Sequence, residues 1–536
     1  EAVSDTIIIL NGPYRMCIPV SKVPVSFEGS GTESDPYIIS SKKHLMTIAD
    51  MCNSDRMEHY SGVHFLQTED IDMEGDRTFK GIASKCTNAF NSEQSYYFSG
   101  VYDGGGHTIS NLAIEGVTFR PDGTANEYTQ GSAGNVGLFG ALGPGALVKN
   151  LNITSSEISG YYNVGGISGF MHDNTEIRSC SVEAYIKAYN KAAGGITGAS
   201  NASSDAVSIT ISGCIFRGKV LANSETAGGI IGLNHALVSN CMNIGDVAVS
   251  KFNDCVPMPK MILAGGIAGS NSGNIYDCFN AGNVSVEWSQ AGGIAGYNTN
   301  GYRKGNIVRN VSVGQVSAAD LTYAGSLIGL DYRINTSQAS HMELSGNLYD
   351  KQVCQLGGSG NIDKEGLSGM PTETLTSGNA VDGLGENWSF MSGSYPLPTS
   401  LASVEAAKKA AVTYIAIDAP HSLFNFGEQA SLASTMPLTA TLTDPTGTFS
   451  IDGTLIKASV PTSVAEAEIV IRNGDLERNL KLTKTGYILP GQGTADSPYL
   501  ISCAEDFNKA ADFLRDNNFD FGGTYFLLTD DNDSNS

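Results

Sequence analysis

The sequence predicts an all-β protein whose main body is a right-handed parallel β-helix, a solenoid of about eight coils. The first observation is a Gly-aliphatic-x-Gly phrase that recurs seven times between residues 137 and 329, with final glycines 27 to 37 residues apart. That spacing is the period of a stacked solenoid. The second observation is another phrase, centred on Cys or Asn, whose internal spacing stays constant in successive repeats. Constant spacing indicates fixed strands and corners, with the length variation confined to loops.

The glycine phrase is predicted to form one strand in every coil. Small glycines permit tight corners and the close approach of neighbouring backbones. The aliphatic position of the phrase would then stack as an inward column along the solenoid. Its members are Ile167, Ile196, Ile230, Ile267 and Ile294.

The second phrase has an aliphatic residue three positions before a Cys or Asn and a branched aliphatic six positions after it. Five repeats follow the rule: Ile177-Cys180-Ile186, Ile211-Cys214-Val220, Val238-Cys241-Val247, Ile275-Cys278-Val284 and Ile307-Asn310-Val316. Asn111 with Val117 fits it too, whereas Asn150 is followed at that distance by Ser156. Each coil is therefore predicted to contain three short strands on three successive sides.

Covering segments are predicted at the ends of the solenoid, where strand edges and apolar side chains would otherwise be exposed. Residues 41–53 form a predicted capping helix, with Leu45, Ile48, Ala49 and Cys52 at helical spacing after Ser40 and Ser41. Residues 503–516 repeat this pattern. Residues 365–400 supply bulky cover at the other end, through Met370, Leu375, Trp388, Phe390, Tyr395, Pro396 and Leu397. Residues 401–411 are predicted to form a short linker helix.

The two ends of the chain resemble each other. Residues 29–39 return as residues 491–501, an offset of 462, and the similarity extends in both directions. Alternating short strands and turn signals between them predict an immunoglobulin-like β-sandwich. The predicted domains are 1–27, the terminal strands of a preceding sandwich-like module; 28–110, an entry segment with its capping helix; 111–364, the β-helix; 365–411, the C-terminal cap and linker; 412–488, the sandwich; and 489–536, the truncated start of a second entry segment.

The Gly-Gly-Ile-x-Gly phrase, followed by Ile-x-x-Cys-x-Asn and Gly-x-Val, resembles the GLUG-motif repeats of bacterial surface proteins. The entry segment is also similar, through Gly31-Thr32, Asp35 to Ile39, Phe65-Leu66, Asp70 to Asp72 and Tyr102 to Ile109. The resemblance covers about residues 28–398. It implies an adhesin-like protein that is secreted or displayed on a bacterial cell surface, with no reaction assigned to the repeat. Some immunoglobulin-cleaving metallopeptidases carry such repeats, but this chain has no His-Glu-x-x-His.

Composition limits the choice of partner. The chain has 32 Lys plus Arg against 55 Asp plus Glu, a formal net charge of -23. Such an acidic surface repels nucleic acid and anionic membrane. No apolar run approaches the ~20 residues needed to span a bilayer. We therefore expect a monomer that binds a host protein or a glycan and needs no cofactor.

Four cysteines occupy one position in consecutive repeats: Cys180, Cys214, Cys241 and Cys278. Their Cα atoms would lie within disulfide range, but parallel Cβ vectors would strain the bridge. We expect a column of buried free thiols, with disulfides as the alternative. A tetrahedral metal site is disfavoured, because a straight ladder supplies one ligand per coil.

Candidate chemical groups are few. Asp70, Asp72, Glu74 and Asp76 begin like a calcium loop, but position twelve is Gly81, so an EF-hand match fails. These acids are interpreted as a turn, and His59 and His64 as surface histidines. His107, in the phrase Asp103-Gly-Gly-Gly-His107, is interpreted as part of a tight corner. No G-x-S-x-G elbow is present, so no enzymatic activity is predicted.

The insertions between repeats are the predicted functional surface, since such insertions tend to share a face. They are residues 118–133, 200–207 and 251–262. The last carries four candidate contact residues, Phe252, Val256, Met258 and Met261, which could instead cover the solenoid wall. The predicted function is adhesion or interaction with a host protein or glycan. A structural spacer and a glycan-degrading β-helix enzyme remain the alternatives.

Overall fold

A computed structural model gives the fold, with 46% of the chain in strands and 9% in helices. It describes residues 26–54, 58–84, 96–116, 134–203, 208–223, 225–250, 262–287, 289–299, 305–319, 321–332, 343–354, 356–360 and 365–412. Outside these ranges it describes the strands at 4–11, 14–21, 416–483 (in part), 499–501 and 526–528, with a few adjoining residues. The all-β prediction is confirmed, and the long parallel sheets are consistent with a β-helix.

Four parallel sheets make up residues 37–370, here called the parallel-sheet region. Sheet 1 contains Asn135–Val136, Asn163–Gly165, Ala192–Gly194, Thr226–Gly228, Leu263–Gly265, Gln290–Gly292 and Ala324–Gly325. Sheet 2 contains Phe139–Leu142, Ser168–Met171, Thr197–Ser200, Ile231–Asn234, Ala268–Asn271, Ala295–Thr299 and Ile328–Tyr332. Within each sheet, hydrogen-bonded neighbours come from successive repeats.

The other two sheets are larger. Sheet 3 contains Tyr37–Ile39, His64–Gln67, Val101–Asp103, Leu147–Lys149, Thr175–Arg178, Ile209–Ser212, Leu237–Ser239, Asn274–Tyr276, Ile307–Val308 and Leu344–Ser345. Sheet 4 contains Ile71–Asp72, Thr108–Ser110, Ala113–Glu115, Asn152–Gly160, Ser181–Ala188, Ile215–Ala222, Met242–Asn243, Asp246–Val249, Phe279–Asn280, Val284–Val286, Val311–Ser312, Val316–Ala318, Asn347–Asp350 and Leu367–Met370. A typical repeat therefore passes through sheets 1, 2, 3 and 4 in turn.

The prediction of three strands per repeat was wrong, because a typical repeat contributes strands to four sheets. The glycine phrase is divided between sheets 1 and 2, because the chain turns sharply between Gly165 and Ser168. A Cβ at Gly194 would lie 1.9 Å from the carbonyl oxygen of Thr197. A Cβ at Gly195 would lie 2.2 Å from the carbonyl oxygen of Gly229 in the next repeat. Only glycine leaves room for this turn and for the close stacking of repeats.

The corner between sheets 3 and 4 also needs an unusual backbone. The residue at this corner has a left-handed φ in seven repeats: Asn150, Ser179, Gly213, Asn240, Asp277, Arg309 and Gly346. The Cys or Asn of the second phrase is the residue that follows this corner. Asn150 is the corner residue itself, so its predicted equivalence to the cysteines was wrong by one position. Asn111 lies between two strands of sheet 4, Thr108–Ser110 and Ala113–Glu115, so its predicted equivalence was also wrong. Leu151 is buried where the later repeats have Cys.

The interior follows the predicted aliphatic column. Ile167, Ile196, Ile230, Ile267 and Ile294 are all fully buried in the main core. Two neighbouring columns change character along the chain. One runs Leu142, Met171, Ser200, Asn234, Asn271, Asn298, Asp331, and the other runs Ile153, Val182, Phe216, Asn243, Asn280, Ser312. Every one of these polar residues is buried.

The capping helix was predicted correctly. Helix α1 spans Lys42–Cys52, and the Ser41 side chain accepts a hydrogen bond from the His44 backbone at its start. The buried side chains are the four predicted from spacing: Leu45, Ile48, Ala49 and Cys52. They join the main core beside the first strands of sheet 3. The second predicted helix, 503–516, lies outside the described residues except for Phe507.

Residues 365–400 were predicted to cover the end of the solenoid, and this position was wrong, because their bulky side chains pack on the outer side of sheet 4. Residues 371–411, here called the strap, include helix α2 (Thr372–Leu375), an antiparallel pair (Trp388–Ser389 with Leu397–Pro398) and most of helix α3 (Glu405–Val412). Strap residues pack with an apolar column of sheet 4: Ile215, Met242, Phe279, Val311 and Leu348. This column alternates with core-facing Phe216, so it lies on the side of the sheet away from the main core.

The remaining strands fall outside the parallel-sheet region. Ser4–Asn11 pairs antiparallel with Tyr14–Ser21. Two antiparallel sheets follow the strap, one of Ala416–Asp418, Gln429–Ala433, Leu455–Ser459 and Thr448–Asp452, and one of Thr439–Leu442, Glu466–Asn473 and Leu476–Thr483. Tyr499 pairs in parallel with Phe526, the same register as Tyr37 with Phe65. The repeated sequence therefore forms the same strand pair twice.

Candidate binding surface

The four loop residues predicted from sequence to make contacts, Phe252, Val256, Met258 and Met261, lie outside the described residues. The insertions can still be placed by the strands they connect. Residues 118–133 and 251–262 lie between sheet 4 and sheet 1, and residues 200–207 lie largely between sheet 2 and sheet 3. Along the chain, each insertion therefore comes either just before the sheet 1 strand or just after the sheet 2 strand of a repeat.

Sheets 1 and 2 share an apolar cluster that is separate from the main core. It consists of Ala141, Phe170, Ala192 and Ala199, with Tyr97 and Leu233 packed against it. Ala192 belongs to sheet 1 and Ala199 to sheet 2. Side chains from the two sheets therefore meet along this line, and the small alanines close it in the early repeats.

The same positions carry larger side chains in the last repeats. Sheet register aligns Ala199 with Leu233, Ser270, Tyr297 and Leu330 in turn. In sheet 1, Ala192 aligns with Thr226, Leu263 and Gln290 in turn. Ala291 pairs with Ala324, so Tyr323, the residue before Ala324, continues this row. The rows of side chains that are buried near Phe170 therefore include aromatic, partly exposed side chains in the last repeats.

We call Tyr297, Leu321, Tyr323, Leu330 and Tyr332 the tyrosine patch. Of the large apolar side chains exposed within the described parts of 26–412, Leu321, Tyr323 and Tyr332 lie here, and Met391 lies on the strap. Tyr332 is 51% exposed. Its ring stacks on Tyr297 with centroids 6.2 Å apart and planes 23° from parallel. Clustered, solvent-exposed aromatic rings are typical of contact surfaces.

The polar groups of the patch are the tyrosine hydroxyls. Burial raises the pKa of Tyr297 above its ordinary value, and the negative charge of nearby Asp331 acts in the same direction. The phenol therefore stays protonated at neutral pH. Each hydroxyl can donate one hydrogen bond and accept others, while the ring faces provide apolar area. This combination suits a ligand that presents both hydroxyl groups and C–H faces.

The acidic cluster is held by local contacts. Asp72 accepts hydrogen bonds from the Glu74 backbone at 2.7 Å and from the Asn111 side chain at 2.9 Å. Lys42 bridges Glu74 and Asp76 at 2.8 and 3.0 Å. Hydrogen bonds from Thr78 lower the pKa of Asp76 to about 2. These contacts support the interpretation as a turn.

The described residues contain no group of three His, Cys, Asp or Glu side chains placed to hold a metal ion. Asp70 accepts a hydrogen bond from the Thr108 backbone at 2.8 Å and lies 3.4 Å from His107. His59 stacks on Tyr97 with ring centroids 4.0 Å apart, and its Nδ1 lies 2.9 Å from the Tyr97 carbonyl oxygen. Local partners of this kind explain both histidines without a ligand.

The cysteine column consists of free, buried thiols in this structure. Each Sγ lies 3.3 Å from the carbonyl oxygen two residues earlier and 3.7 to 3.9 Å from a carbonyl oxygen of the preceding repeat. Asn310 continues the column, and its amide donates to the equivalent carbonyls of Val308 and Ile275 at 3.1 Å. Burial raises the pKa of Cys180 and Cys241 well above the ordinary value. Cys180 and Cys241 therefore stay protonated, and all four thiols are buried parts of the structure.

The fold thus defines an all-β repeat protein with stacked parallel sheets and an aromatic patch in its last repeats. No model of a known protein family matches the chain. A stretch of 180 residues, 32% of the chain, is 27% identical to halomucin from Haloquadratum walsbyi. The chain spans about 2% of the length of that protein. None of the described helices is long and apolar enough to cross a membrane.

Proposed function

We propose that this chain is an extracellular adhesion or interaction module that binds a host protein or a glycan through the tyrosine patch. In this proposal the four sheets form a right-handed parallel β-helix of about eight coils, and residues 412–488 form an immunoglobulin-like sandwich. The β-helix serves as a scaffold and carries out no reaction. The bacterial cell surface is the proposed location.

The observation that carries the proposal is the concentration of aromatic rings in two successive repeats, with Tyr323 and Tyr332 exposed. Solenoids commonly bind through a continuous surface that their repeats build together. Here the register brings Tyr297 and Leu330 into one row, and Tyr323 and Tyr332 extend the aromatic area around it. The resemblance to GLUG-motif proteins supports an adhesin-like role. The similarity to halomucin is compatible with a location outside the cell.

Charge favours an uncharged or cationic partner. The chain carries a net charge of -23, so a polyanionic ligand would be repelled over the Debye length of about 8 Å at physiological ionic strength. Neutral glycans and protein surfaces avoid this repulsion. The tyrosine hydroxyls and ring faces offer both kinds of contact that such partners use.

Two alternatives compete with this proposal. A structural spacer would hold a distal domain away from the cell and would need no binding surface. A glycan-degrading enzyme would need convergent carboxylates, and the acids from Asp70 to Asp76 are instead engaged in turn contacts. The exposed aromatic patch favours interaction over the spacer.

The test is a glycan and host-protein binding array with the intact chain, repeated with Tyr297→Ala/Tyr332→Ala. Loss of two ring contacts, each worth about 0.5–1.5 kcal/mol, should weaken binding about 5- to 150-fold. Met391→Ala is the matched control, because Met391 is 50% exposed but lies on the strap. Deletion of residues 251–262 tests the loop that the sequence singled out.

The outcomes separate the hypotheses. Full binding by the tyrosine variant would reject the patch, and loss on the loop deletion alone would move the contact to residues 251–262. An intact chain that binds nothing on either array would favour the spacer. Turnover of a polysaccharide, lost on Asp70→Asn or Asp72→Asn, would favour the enzyme.

A further inference from the structure

The strap is attached to sheet 4 by two buried carboxylates. The first is Asp277, which is 3% exposed and lies at the corner between sheets 3 and 4. Arg309 of the next repeat donates to both of its oxygens, at 2.8 and 2.9 Å. Two strap residues complete the site, with Trp388 Nε1 at 3.2 Å and Asn387 Nδ2 at 3.0 Å. The carboxylate therefore joins residues 110 positions apart.

The second carboxylate is Asp350, which is fully buried at the end of the strand Asn347–Asp350. The Tyr395 hydroxyl donates a hydrogen bond to Asp350 Oδ2 at 2.6 Å. Thr372 donates to the same oxygen at 2.7 Å. Short hydrogen bonds to an ionised acceptor are about twice as strong as neutral ones. If the strap came away, Asp277 would keep only its pair with Arg309, and Oδ2 of Asp350 would lose the hydrogen bonds from Thr372 and Tyr395.

Between the two carboxylates the strap makes apolar contacts and is braced internally. Leu375, Trp388, Tyr395, Leu397 and Leu401 pack in one cluster with the sheet 4 column. The Tyr395 backbone N–H donates to the Ala411 carbonyl at 3.0 Å, which ties the hairpin to helix α3. The column spans five successive repeats at about 4.8 Å each, so the strap reaches back well before the last strand.

A stack of parallel strands has a mechanical weakness at its ends. Each repeat contacts only its neighbours, so tension applied to the last strand breaks a few hydrogen bonds at a time. The strap changes where tension enters. A pull on the chain beyond Val412 reaches helix α3 and the hairpin first, and must break both carboxylate attachments and the apolar cluster before it reaches Leu367–Met370.

We propose that the strap is a load-bearing lock, in which Asp277–Trp388 and Asp350–Tyr395 carry tension from the downstream chain into the side of the sheets. This role goes beyond partner binding and does not depend on the tyrosine patch. The lock protects the final repeats from being peeled away one strand at a time.

Single-molecule stretching of the full chain from its two ends tests the lock. Releasing the strap frees residues 371–411, about 40 residues or about 140 Å of contour length at ~3.5 Å per residue. In the Trp388→Phe/Tyr395→Phe variant this event should shift to lower force, because both donors are removed while the rings remain. Each single variant should shift it less. Met391→Ala and Tyr332→Ala should leave it unchanged.

Folding of the variants is checked separately. Hydrogen exchange in residues 139–200, which lie before the strap contacts, should match the unaltered protein. An unchanged force for every event in the double variant would overturn the proposal. So would loss of the last repeats before the strap is released. If the unaltered chain binds nothing in the arrays but the double variant still shows the shift to lower force, the proposed adhesion is rejected and the lock is retained.

Discussion

The early and late repeats use one backbone with two kinds of interior. In the first, from Phe139 to Phe216, the variable columns are mainly apolar and include Leu142, Met171 and Val182. From Ile231 onward they contain buried amides. Asn234 donates to Asn271 at 2.7 Å, Asn271 to Asn298 at 2.8 Å, and Asn298 to Asp331 at 3.2 Å. The backbone register continues unchanged through the switch.

The difference shows what the repeat requires and what it tolerates. A buried amide is costly without a partner, but a ladder gives each amide a partner in the next repeat. Column chemistry can therefore change, provided that it changes for several repeats together. The glycines cannot change in this way, because backbone atoms of neighbouring strands occupy the space beside them.

The largest expected effect is equal in both regions and comes from the last glycine of the phrase. A Cβ at Gly198 would lie 2.5 Å from the Val164 nitrogen, and one at Gly296 would lie 2.6 Å from the Ala264 oxygen. Gly198→Ala and Gly296→Ala should each lower the free energy of unfolding by more than about 4 kcal/mol, measured by urea denaturation. At Gly385 the Cβ position is open, so Gly385→Ala should cost only about 1–2 kcal/mol. A mild effect at Gly296 alone would show that the late repeats are packed more loosely.

An intermediate effect should separate the two regions. Asn271→Leu leaves the Asn234 amide and the Asn298 oxygen unpaired, and should cost about 3 kcal/mol at about 1–3 kcal/mol per unsatisfied group. Asn234→Leu/Asn271→Leu should cost less than the sum of the single changes, because partners are removed together. Met171→Asn is the reciprocal control, which places an amide in the apolar region. Additive losses would contradict the ladder, and urea denaturation of all four proteins is the measurement.

The smallest effect is expected where the thiol column meets the amide column. Cys278→Asn should change stability by less than about 1 kcal/mol, because Asn310 already bonds to the equivalent carbonyls in the next repeat. Cys278→Asp has similar size but buries a charge, and should cost several times more. Thermal unfolding followed by circular dichroism compares the pair. Equal losses would mean that volume, and not hydrogen bonding, decides this position.

Sequence reasoning succeeded where spacing alone determines structure. Helix α1 and its four buried residues follow from apolar periodicity and a serine cap. The isoleucine column follows from the position of Ile in a constant phrase. The fourth sheet was missed because the turn between Gly165 and Ser168 divides one phrase into two short strands. The corner at Asn150 was displaced by one residue, because a left-handed asparagine and an inward asparagine look alike in sequence.

The surfaces were harder to predict, because they depend on neighbours distant in the chain. A signal for the strap existed: the residue after the Cys or Asn is polar in Ser181 but apolar from Ile215 to Leu348. An outward apolar row needs cover, yet its spacing does not reveal which segment provides it. The tyrosine patch gave a weaker signal, since the positions of Tyr297 and Tyr323 vary from Ala and Ser to Leu, Phe and Gln in other repeats. Their exposure depends on the packing of two sheets.

The corner residues Asp277 and Arg309 have φ values of 53° and 55°, a conformation that costs a residue with a side chain about 1–2 kcal/mol relative to glycine. Two other corners of the same row, Gly213 and Gly346, avoid that penalty. The corner position therefore accepts either glycine or a residue whose side chain can bind another segment. Glycine leaves the corner without a side-chain contact, whereas a charged residue costs backbone strain and provides a binding group. A covering segment can therefore be attached at a corner without changing the strands of the repeats.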